Sequence, residues 1–450
     1  MKTPASLPLV PFERYMLADD RTHVPMAFII RLKLVGRFDP VRFREAMVDI
    51  LRDEPLLTGR ITGKDLRTTR WVPGDGSITL DCQPTGTPLL YPRVGSIDIR
   101  HEPGLRTWVR YDDQQVELRF QFHHSCADGI GAYQFIDDVL CEYHRRVTGE
   151  ATLPRRVKRV EMLKQRGRLG LSWWQRCLRL PLTLLAIIHG GANFFIVSPV
   201  KLALPPVTPP GENELRQVPE MPTTTVDSTT FARLSAFCKR EHLKLNDLLT
   251  RELMLAIKSW QEQLTGQPWR GTMRIIVPFN LRAREDEAQP ATNIVGVIPM
   301  DRGPLQLKHA GWLMKTVRYE LKYMKFFWLP AEFLSVLRFF ELVCGSTAML
   351  LADHRCQTTV TWSNVGRVFT SSPLPREQGK LRCGELVLEE VGSAPPVRPH
   401  SPVSFTATSY NGQLTWTLCY DRLALNYETA QKLLNHVIAQ LQNFAASLPN

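Results

Sequence analysis

Hydrophobic and polar residues alternate strictly along one stretch in the first third of the chain. Apolar side chains occupy every second position from Val116 to Phe122, a period of two that predicts a half-buried β-strand. The apolar positions that follow recur at helical spacing: Ile130, Ile136, Val139, Leu140 and Tyr143. The seven residues 123–129, HHSCADG, join this strand to this helix. Because loops held by rigid elements often carry catalytic groups, this connection is the first candidate site.

The same two periods divide the rest of the chain into strands and helices. They predict a strand over 26–34, a helix over 40–52, a strand over 272–277, a hairpin turning at Asn411-Gly412 and a helix over 428–444. Strands and helices are intermixed in both halves, which is the pattern of an α/β protein with two lobes. We divide the chain into an N-terminal lobe (1–153), a connector (154–222) and a C-terminal lobe (223–450).

The connector has the most uneven composition. Nine Lys or Arg and one acidic residue lie within 155–179, whereas 180–200 contains no charged side chain. Proline and glycine interrupt the apolar stretch, which argues against a simple transmembrane helix. Two interpretations remain open. The segment is either a linker helix packed between the lobes, or a basic segment with Trp173 and Trp174 followed by an apolar hairpin, both lying in an anionic membrane surface.

Composition narrows the class of protein. The net charge is +12, most of it in the connector, and no nucleic-acid recognition fold is evident, so we expect no nucleic-acid partner. The nine cysteines show no CxxC spacing and the eleven histidines no ligand cluster. The sequence therefore predicts no metal site, no bound cofactor and a reducing compartment. With no apolar segment near the start that would suit a signal peptide, we expect a cytoplasmic protein, with membrane association as the open question.

The loop 123–129 holds residue types suited to proton transfer. Histidine has an ordinary pKa of about 6.5, so it can take and return a proton near neutral pH. Asp128 follows His124 by four residues, and either orients that imidazole or pairs with a cation that shapes the loop. Gly129 leaves room for a tight turn or for close approach of a substrate. Two adjacent histidines alone more often cap a strand, but the Asp-Gly step, the strand and the helix together favour an active site.

The HHxxxDG motif at 123–129 resembles the active-site motif of the chloramphenicol-acetyltransferase-like acyltransferases. These include nonribosomal peptide synthetase condensation domains, alcohol acetyltransferases and bacterial wax ester synthases. Further segments are similar to those of the family and occur in the same order: PFERYML at 11–17, LRDEPLL at 51–57, VPFNLR at 277–282, NIVGVIPMDR at 293–302 and SNVG at 363–366. The resemblance implies two lobes of mixed sheet flanked by helices, with the active site at the lobe interface.

The resemblance also implies a role for each residue of the loop. His124 is the implied general base, which takes a proton from the acceptor. Asp128 is counted with the catalytic residues, but its implied role is structural, in a salt bridge with Arg282 of the other lobe. His123 shapes the loop beside the base. Gly129 is implied to line the acyl channel.

Other residues are candidates for contact with the substrate. Ser363 and Asn364 lie at a strand end, where either could donate to a tetrahedral oxyanion, an interaction worth about 3–4 kcal/mol. The alternative is that both serve the turn at that strand end. Asn293 opens a family-like segment and is a further substrate-binding candidate. Because the resemblance implies no acyl-enzyme, Ser125 and Cys126 are expected to be small loop residues rather than nucleophiles.

These features predict acyl transfer from a thioester to an alcohol or amine. Acyl-CoA is the favoured donor and an acyl carrier protein is the alternative; a basic surface suits either acidic partner. The sequence SNVGR at 363–367 departs from the SNVPGP of wax ester synthases, so it does not predict a long-chain alcohol or diacylglycerol acceptor. A catalytically silent module that binds a partner is the remaining alternative, and the intact HHxxxDG argues against it.

Overall fold

A computed structural model describes residues 6–449, except 75, 151, 170, 346, 348–349 and 352–354; the side chains of 189 and 191–195 are likewise left out. The strands are β1 (Leu7–Pro8), β2 (Ala27–Val35), β3 (Arg60–Thr62), β4 (Arg70–Val72), β5 (Thr79–Pro84), β6 (Leu105–Tyr111), β7 (Gln115–His123), β8 (Thr223–Val226), β9 (Met273–Asn280), β10 (Val295–Arg302), β11 (Val360–Arg367), β12 (Arg376–Glu377), β13 (Lys380–Cys383), β14 (Leu386–Ala394), β15 (Val403–Tyr410) and β16 (Gln413–Tyr420).

The α-helices are α1 (Pro11–Asp19), α2 (Pro40–Leu51), α3 (Pro55–Thr58), α4 (Gly129–Thr148), α5 (Trp173–Leu178), α6 (Leu180–Ile196), α7 (Glu212–Leu215), α8 (Ser228–Arg240), α9 (Leu245–Thr265), α10 (Pro304–Lys308), α11 (Ala310–Phe326), α12 (Pro330–Cys344) and α13 (Tyr427–Ser447). Short 3-10 helices cover Val160–Gln165 and Arg284–Ala288. The predicted strands and helices at 26–34, 40–52, 272–277 and 428–444 are confirmed to within a few residues at most ends, as is the hairpin turn between β15 and β16.

The first lobe is built on a seven-stranded sheet in the order β12-β13-β14-β2-β7-β6-β5. Strand β7 lies inside this sheet and is antiparallel to both of its neighbours, β2 and β6. Its alternating apolar side chains pack in one core with the apolar faces of α2 and α4. This packing fixes the position of the strand and therefore of the loop that follows it. The intervening polar side chains are also covered, since Arg119 donates to Glu220 of the crossover that leads into the second lobe. A strand predicted to be half-buried is thus buried on both faces.

The second lobe has a six-stranded sheet in the order β10-β9-β11-β15-β16-β8. Helices α8, α9, α11 and α13 share its core, in which Trp362 and Trp416 stack at a ring separation of 4.5 Å. The predicted α/β architecture with two lobes of mixed sheet is confirmed. The strands β12 to β14 belong to the second half of the chain but complete the first sheet, because β14 pairs with β2. The division of the chain at 153 and 222 remains a prediction. It does not follow the sheets, because β12 to β14 come from the C-terminal segment but lie in the first sheet.

The apolar part of the connector forms the single helix α6, so the hairpin that one of the two interpretations required is wrong. Pro181 is the second residue of the helix, where the missing N–H has no helical partner to lose. The Gly190-Gly191 pair lies inside the helix at a cost of only about 1 kcal/mol per glycine. Within the described part of the chain, no helix is both long enough and apolar enough to cross a membrane.

Candidate active site

The loop 123–129 is held by backbone hydrogen bonds from both neighbouring strands. The His123 amide donates to the Gly104 carbonyl at 2.9 Å, and the His124 amide donates to the Met26 carbonyl at 2.8 Å. At the other end, Asp128 caps α4, and its Oδ1 accepts from the Gly131 amide at 2.9 Å. A side chain at Gly131 would press against the Arg282 guanidinium and the Thr292 backbone, so glycine allows this close approach. These hydrogen bonds therefore fix the loop at both of its ends.

His123 lies inside the loop and is fully buried. Its Nδ1 accepts from the Ser125 amide at 3.1 Å, and its Nε2 is 3.5 Å from Asp20 Oδ2. The other carboxylate oxygen of Asp20 accepts from the Met26 amide. His123 therefore links the loop to the segment before β2, a position from which its side chain can hold the shape of the loop.

His124 is half-buried and lies on the wall of a cavity between the lobes. The edges of Phe28 and Phe12 pack near its ring, with ring-centre separations of 5.1 and 6.1 Å. Its Nδ1 is enclosed by the protein and has almost no exposed surface. Burial lowers the pKa of His124, and this outweighs the opposing effects of its own backbone and of the nearby Asp128 and Asn293. The lowered pKa favours the neutral imidazole, which is the form that can accept a proton.

This lowered pKa has a measurable consequence for an enzyme that uses His124 as its base. A base acts when unprotonated, so a lowered pKa keeps it active as the pH falls past about 6.5, the ordinary histidine value. We expect the acid limb of the kcat/KM profile to have its midpoint below that value. Intrinsic fluorescence over the same pH range would separate protonation from unfolding. A midpoint above the ordinary value in a folded protein would contradict the assignment.

Asp128 and Arg282 are in contact across the lobe interface. Arg282 Nη1 donates to Asp128 Oδ2 at 2.7 Å, and both side chains are almost fully buried. The same carboxylate oxygen accepts from the Ile294 amide at 2.8 Å, while Arg282 Nη2 donates to the Thr292 carbonyl at 2.8 Å. These bonds satisfy the buried carboxylate and bind the histidine loop to the second lobe. The structure thus brings together the two charges that the resemblance pairs.

A short segment over 289–294 bridges the lobes behind the histidine loop. Asn293 Nδ2 donates to the carbonyls of His124 and Ser125, at 2.8 and 3.1 Å. Asn293 is buried and is not among the residues of the cavity wall, so its amide holds the loop rather than facing a substrate there. The Ala291 amide donates to Glu54, whose pKa burial raises to about 7. Glu54 therefore anchors the bridging segment to the first lobe.

The cavity has a volume of about 150 Å³ and is lined by both lobes. Gly129 and Ser363 are on its wall, and a Cβ at Gly129 would meet open space. Asn364 is not on the wall, and its Oδ1 accepts from the Gly366 amide at 2.9 Å. Asn364 thus serves the turn at the strand end, which was the alternative to contact with the substrate. Of the two candidate oxyanion donors, only Ser363 therefore faces the cavity.

Two further polar groups of the cavity wall were not recognised from the sequence. Arg398 Nη1 donates to the Tyr15 hydroxyl at 2.9 Å, and Arg398 Nη2 lies 2.6 Å from Asp19 Oδ2. Burial raises the pKa of Tyr15, so the phenol stays neutral and keeps its own proton to donate. Tyr15 lies in the family-like segment 11–17, which is a usable signal. Arg398 lies in a loop whose sequence carries no recognisable motif.

Ser125 and Cys126 point into the protein rather than into the cavity. Ser125 Oγ donates to the Glu13 carbonyl at 3.1 Å. Cys126 is fully buried, and this burial raises the pKa of its thiol well above the usual range. Neither side chain lines the cavity, and a neutral buried thiol is a poor nucleophile. Among the described residues, no group of three or more His, Cys, Asp or Glu could hold a metal ion.

No known family model matches the sequence, and no curated protein is detectably similar to it. Solved structures match over nearly the whole chain. The first condensation domain of the calcium-dependent antibiotic synthetase, in complex with a substrate analogue, has a TM-score of 0.68 at 10% identity, covering 99% of this chain and 97% of that one. This chain has the condensation-domain fold.

Two other similar structures show how widely the condensation-domain fold is used. The starter condensation domain of rhizomide synthetase, solved as a point mutant in complex with C8-CoA, has a TM-score of 0.67 at 14% identity, covering 98% and 95% of the two chains. The X-domain from teicoplanin biosynthesis has a TM-score of 0.61 at 15% identity, covering 99% and 96%. At such low identity the likeness establishes the fold alone. The chemistry has to be argued from the residues of this chain.

Proposed function

We propose that this protein transfers an acyl group from a thioester to an alcohol or amine, with His124 as general base. The observation that carries the proposal is the placement of His124. It is an imidazole whose lowered pKa favours the neutral form, rigidly held through its backbone, on the wall of an interlobe cavity. Because Nδ1 is enclosed, Nε2 is the nitrogen assigned to the acceptor.

The reaction then proceeds without a covalent enzyme intermediate. His124 Nε2 takes the proton of the acceptor hydroxyl or amine as its oxygen or nitrogen attacks the thioester carbonyl carbon. The tetrahedral intermediate collapses, the carbon–sulfur bond breaks, and the protonated His124 returns the proton to the leaving thiolate. Ser363 and Tyr15 line the same cavity, and their hydroxyls are the proposed donors to the oxyanion. Asp128 and Arg282 act by positioning the loop, since they bind it to the second lobe.

Acyl-CoA is the proposed donor, and an acyl carrier protein is the alternative. The rhizomide synthetase domain was solved with C8-CoA and the antibiotic synthetase domain with a substrate analogue, which supports a thioester donor in this fold. A second cavity of about 460 Å³ shares Ala394 and Pro396 with the cavity at His124. We propose that these adjoining cavities admit the two substrates from different sides, which direct transfer requires.

A binding module without bond-forming activity is the second candidate, because the X-domain has the same fold. It differs from an acyltransferase in one observable respect. A binding module holds a thioester or a partner protein and releases no thiol.

A substrate panel tests the proposed function. Purified protein is incubated with acyl-CoAs of several chain lengths, or with the same acyl groups on a phosphopantetheinylated carrier protein, together with alcohols and amines. We expect mass spectrometry to find an ester or amide that combines one donor with one acceptor. Product from CoA donors alone would identify the donor class. Absence of product from every pair, with retained binding of donor or carrier, would overturn the proposal in favour of a binding module.

A further inference from the structure

Helices α5 and α6 present apolar side chains on the outside of the molecule. Trp173 and Trp174 of α5 are 65% and 69% exposed, and Leu178 is 80% exposed. On α6, Leu185 and Ile188 are 62% and 69% exposed, and the helix contains no charged residue. A helix on the surface of a soluble protein ordinarily has a polar outer face. Contiguous exposed apolar side chains of this kind mark an interaction surface.

The outer face of α11 carries aromatic and basic side chains in one stripe. Exposed aromatic and basic residues recur along it every three or four positions, namely Trp312, Lys315, Tyr319, Lys322, Tyr323 and Phe326, and Lys325 is exposed beside them. The opposite face of the helix, which includes Leu313 and Val317, is buried in the core of the second lobe. The acid of this helix, Glu320, is paired with Arg302, so the stripe presents positive charge.

The junction between α5 and α6 contacts the corner between α11 and α12. The Arg179 guanidinium donates to the carbonyls of Phe327 and Trp328, both at 3.1 Å, and lies over the Trp328 ring at 5.4 Å. It also forms an ion pair with Glu332 at 2.6 Å. The apolar helices and the aromatic stripe therefore adjoin, and we call them together the α5–α6–α11 face.

The sequence places most of the net positive charge in the connector, but ion pairs neutralise much of that charge in the folded protein. Four of its cations pair with acids of the first lobe: Arg155 with Asp53, Arg156 with Asp137 and Asp138, Lys158 with Glu54 and Asp138, and Arg166 with Glu13. These pairs tie the connector to the first lobe and neutralise much of its charge. The lysines of α11 take part in no ion pair within the described part of the chain, so positive charge faces outward there.

We infer that the α5–α6–α11 face docks onto an anionic lipid membrane. The uncharged α6 supplies apolar side chains that can enter the region between headgroups and acyl chains. Tryptophan and tyrosine at its margins are the residues that favour that depth. Lysines of α11 match the negative charge of acidic headgroups. An apolar helix, interfacial aromatic residues and outward lysines together suit contact with a lipid surface better than the binding of a single peptide.

The face lies close to the cavity at His124. Helix α12, which packs beside α6, places Phe333 against Phe12 and Tyr15, at ring separations of 6.3 and 5.7 Å. Phe12 and Tyr15 both line the cavity. Docking would thus hold the cavity one helix away from the lipid. The inference itself rests on the exposed surface and stands whether or not the protein transfers acyl groups.

Vesicle sedimentation with the full chain tests the inference. We expect the protein to bind vesicles of phosphatidylcholine with phosphatidylglycerol, and to bind pure phosphatidylcholine more weakly. Replacing Lys315 and Lys322 with glutamate should reduce the vesicle partition coefficient about tenfold or more. The matched control, Lys239→Glu with Lys432→Glu on exposed sites of other helices, should keep at least most of the binding.

A second pair of variants tests the apolar part of the face. Leu185→Glu with Ile188→Glu should abolish binding, whereas Leu264→Glu on α9 should not. Circular dichroism establishes that each variant is folded. Equal binding by the face and control variants would overturn the inference. So would a failure of the wild-type protein to bind either vesicle, or a stable dimer in solution that the face variants dissociate, because a second copy would then cover the face.

Discussion

Replacing His124 with alanine is expected to lower kcat by about 10²–10⁴-fold, the usual contribution of a positioned general base. The ring faces a cavity, and the loop is held by backbone hydrogen bonds that do not involve it. The variant should therefore keep its fold and still bind the donor. Initial rates with the donor and acceptor found in the substrate panel, together with a thermal melt, would measure both effects.

His101→Ala is the matched control for this variant, because His101 is an exposed histidine that pairs with Asp98 on the surface. It should leave the rate unchanged. His123→Ala should behave differently again, since its buried ring accepts from the Ser125 amide and its loss should lower both the melting temperature and the rate. Full turnover by His124→Ala would exclude the general-base role.

Removing the carboxylate of Asp128 is expected to cost about 3–5 kcal/mol of unfolding free energy, as breaking a buried ion pair generally does. Alanine would leave the Arg282 guanidinium buried without its acid, and the Gly131 and Ile294 amides without an acceptor. Asp128→Asn keeps an oxygen for one of these bonds and should cost less. Because the ion pair binds the histidine loop to the second lobe, both variants should also lose activity.

Urea denaturation measures this loss of stability. Asp53→Ala is the matched control, because its pair with Arg155 is half-exposed, and its removal should cost less than about 1 kcal/mol. A further variant, Asp128→Ala with Arg282→Ala, should recover part of the stability, since no uncompensated charge is then buried. Equal stability of Asp128→Ala and Asp53→Ala would show that the cross-lobe pair does not hold the loop.

The strand, loop and helix around the histidines were predictable because their pattern is local. The alternation from Val116 to Phe122 and the helical spacing after Gly129 each depend on a single core, which β7 and α4 share. The placement of Asp128 beside Arg282 was reached only through the resemblance. Nothing in the spacing of two residues 154 positions apart indicates that they touch.

Other features could not be predicted, because they depend on tertiary packing. The pairing of β14 with β2 brings a strand from the second half into the first sheet, and no local pattern records which sheet a strand will join. The role of Asn293 was predicted from its place in a motif, but its amide is directed to the backbone of the histidine loop. Helix α6 forms despite Pro181 because that proline lies at its start.

The most direct test of direct transfer from thioester to acceptor compares three quantities in one incubation. Wild-type protein is mixed with acyl-CoA and acceptor, and free CoA, acylated product and the intact mass of the protein are measured together. The account predicts CoA and product in equal amounts, no CoA release without acceptor, and an unchanged protein mass. An acyl adduct on the protein, or CoA release that does not depend on the acceptor, would contradict it.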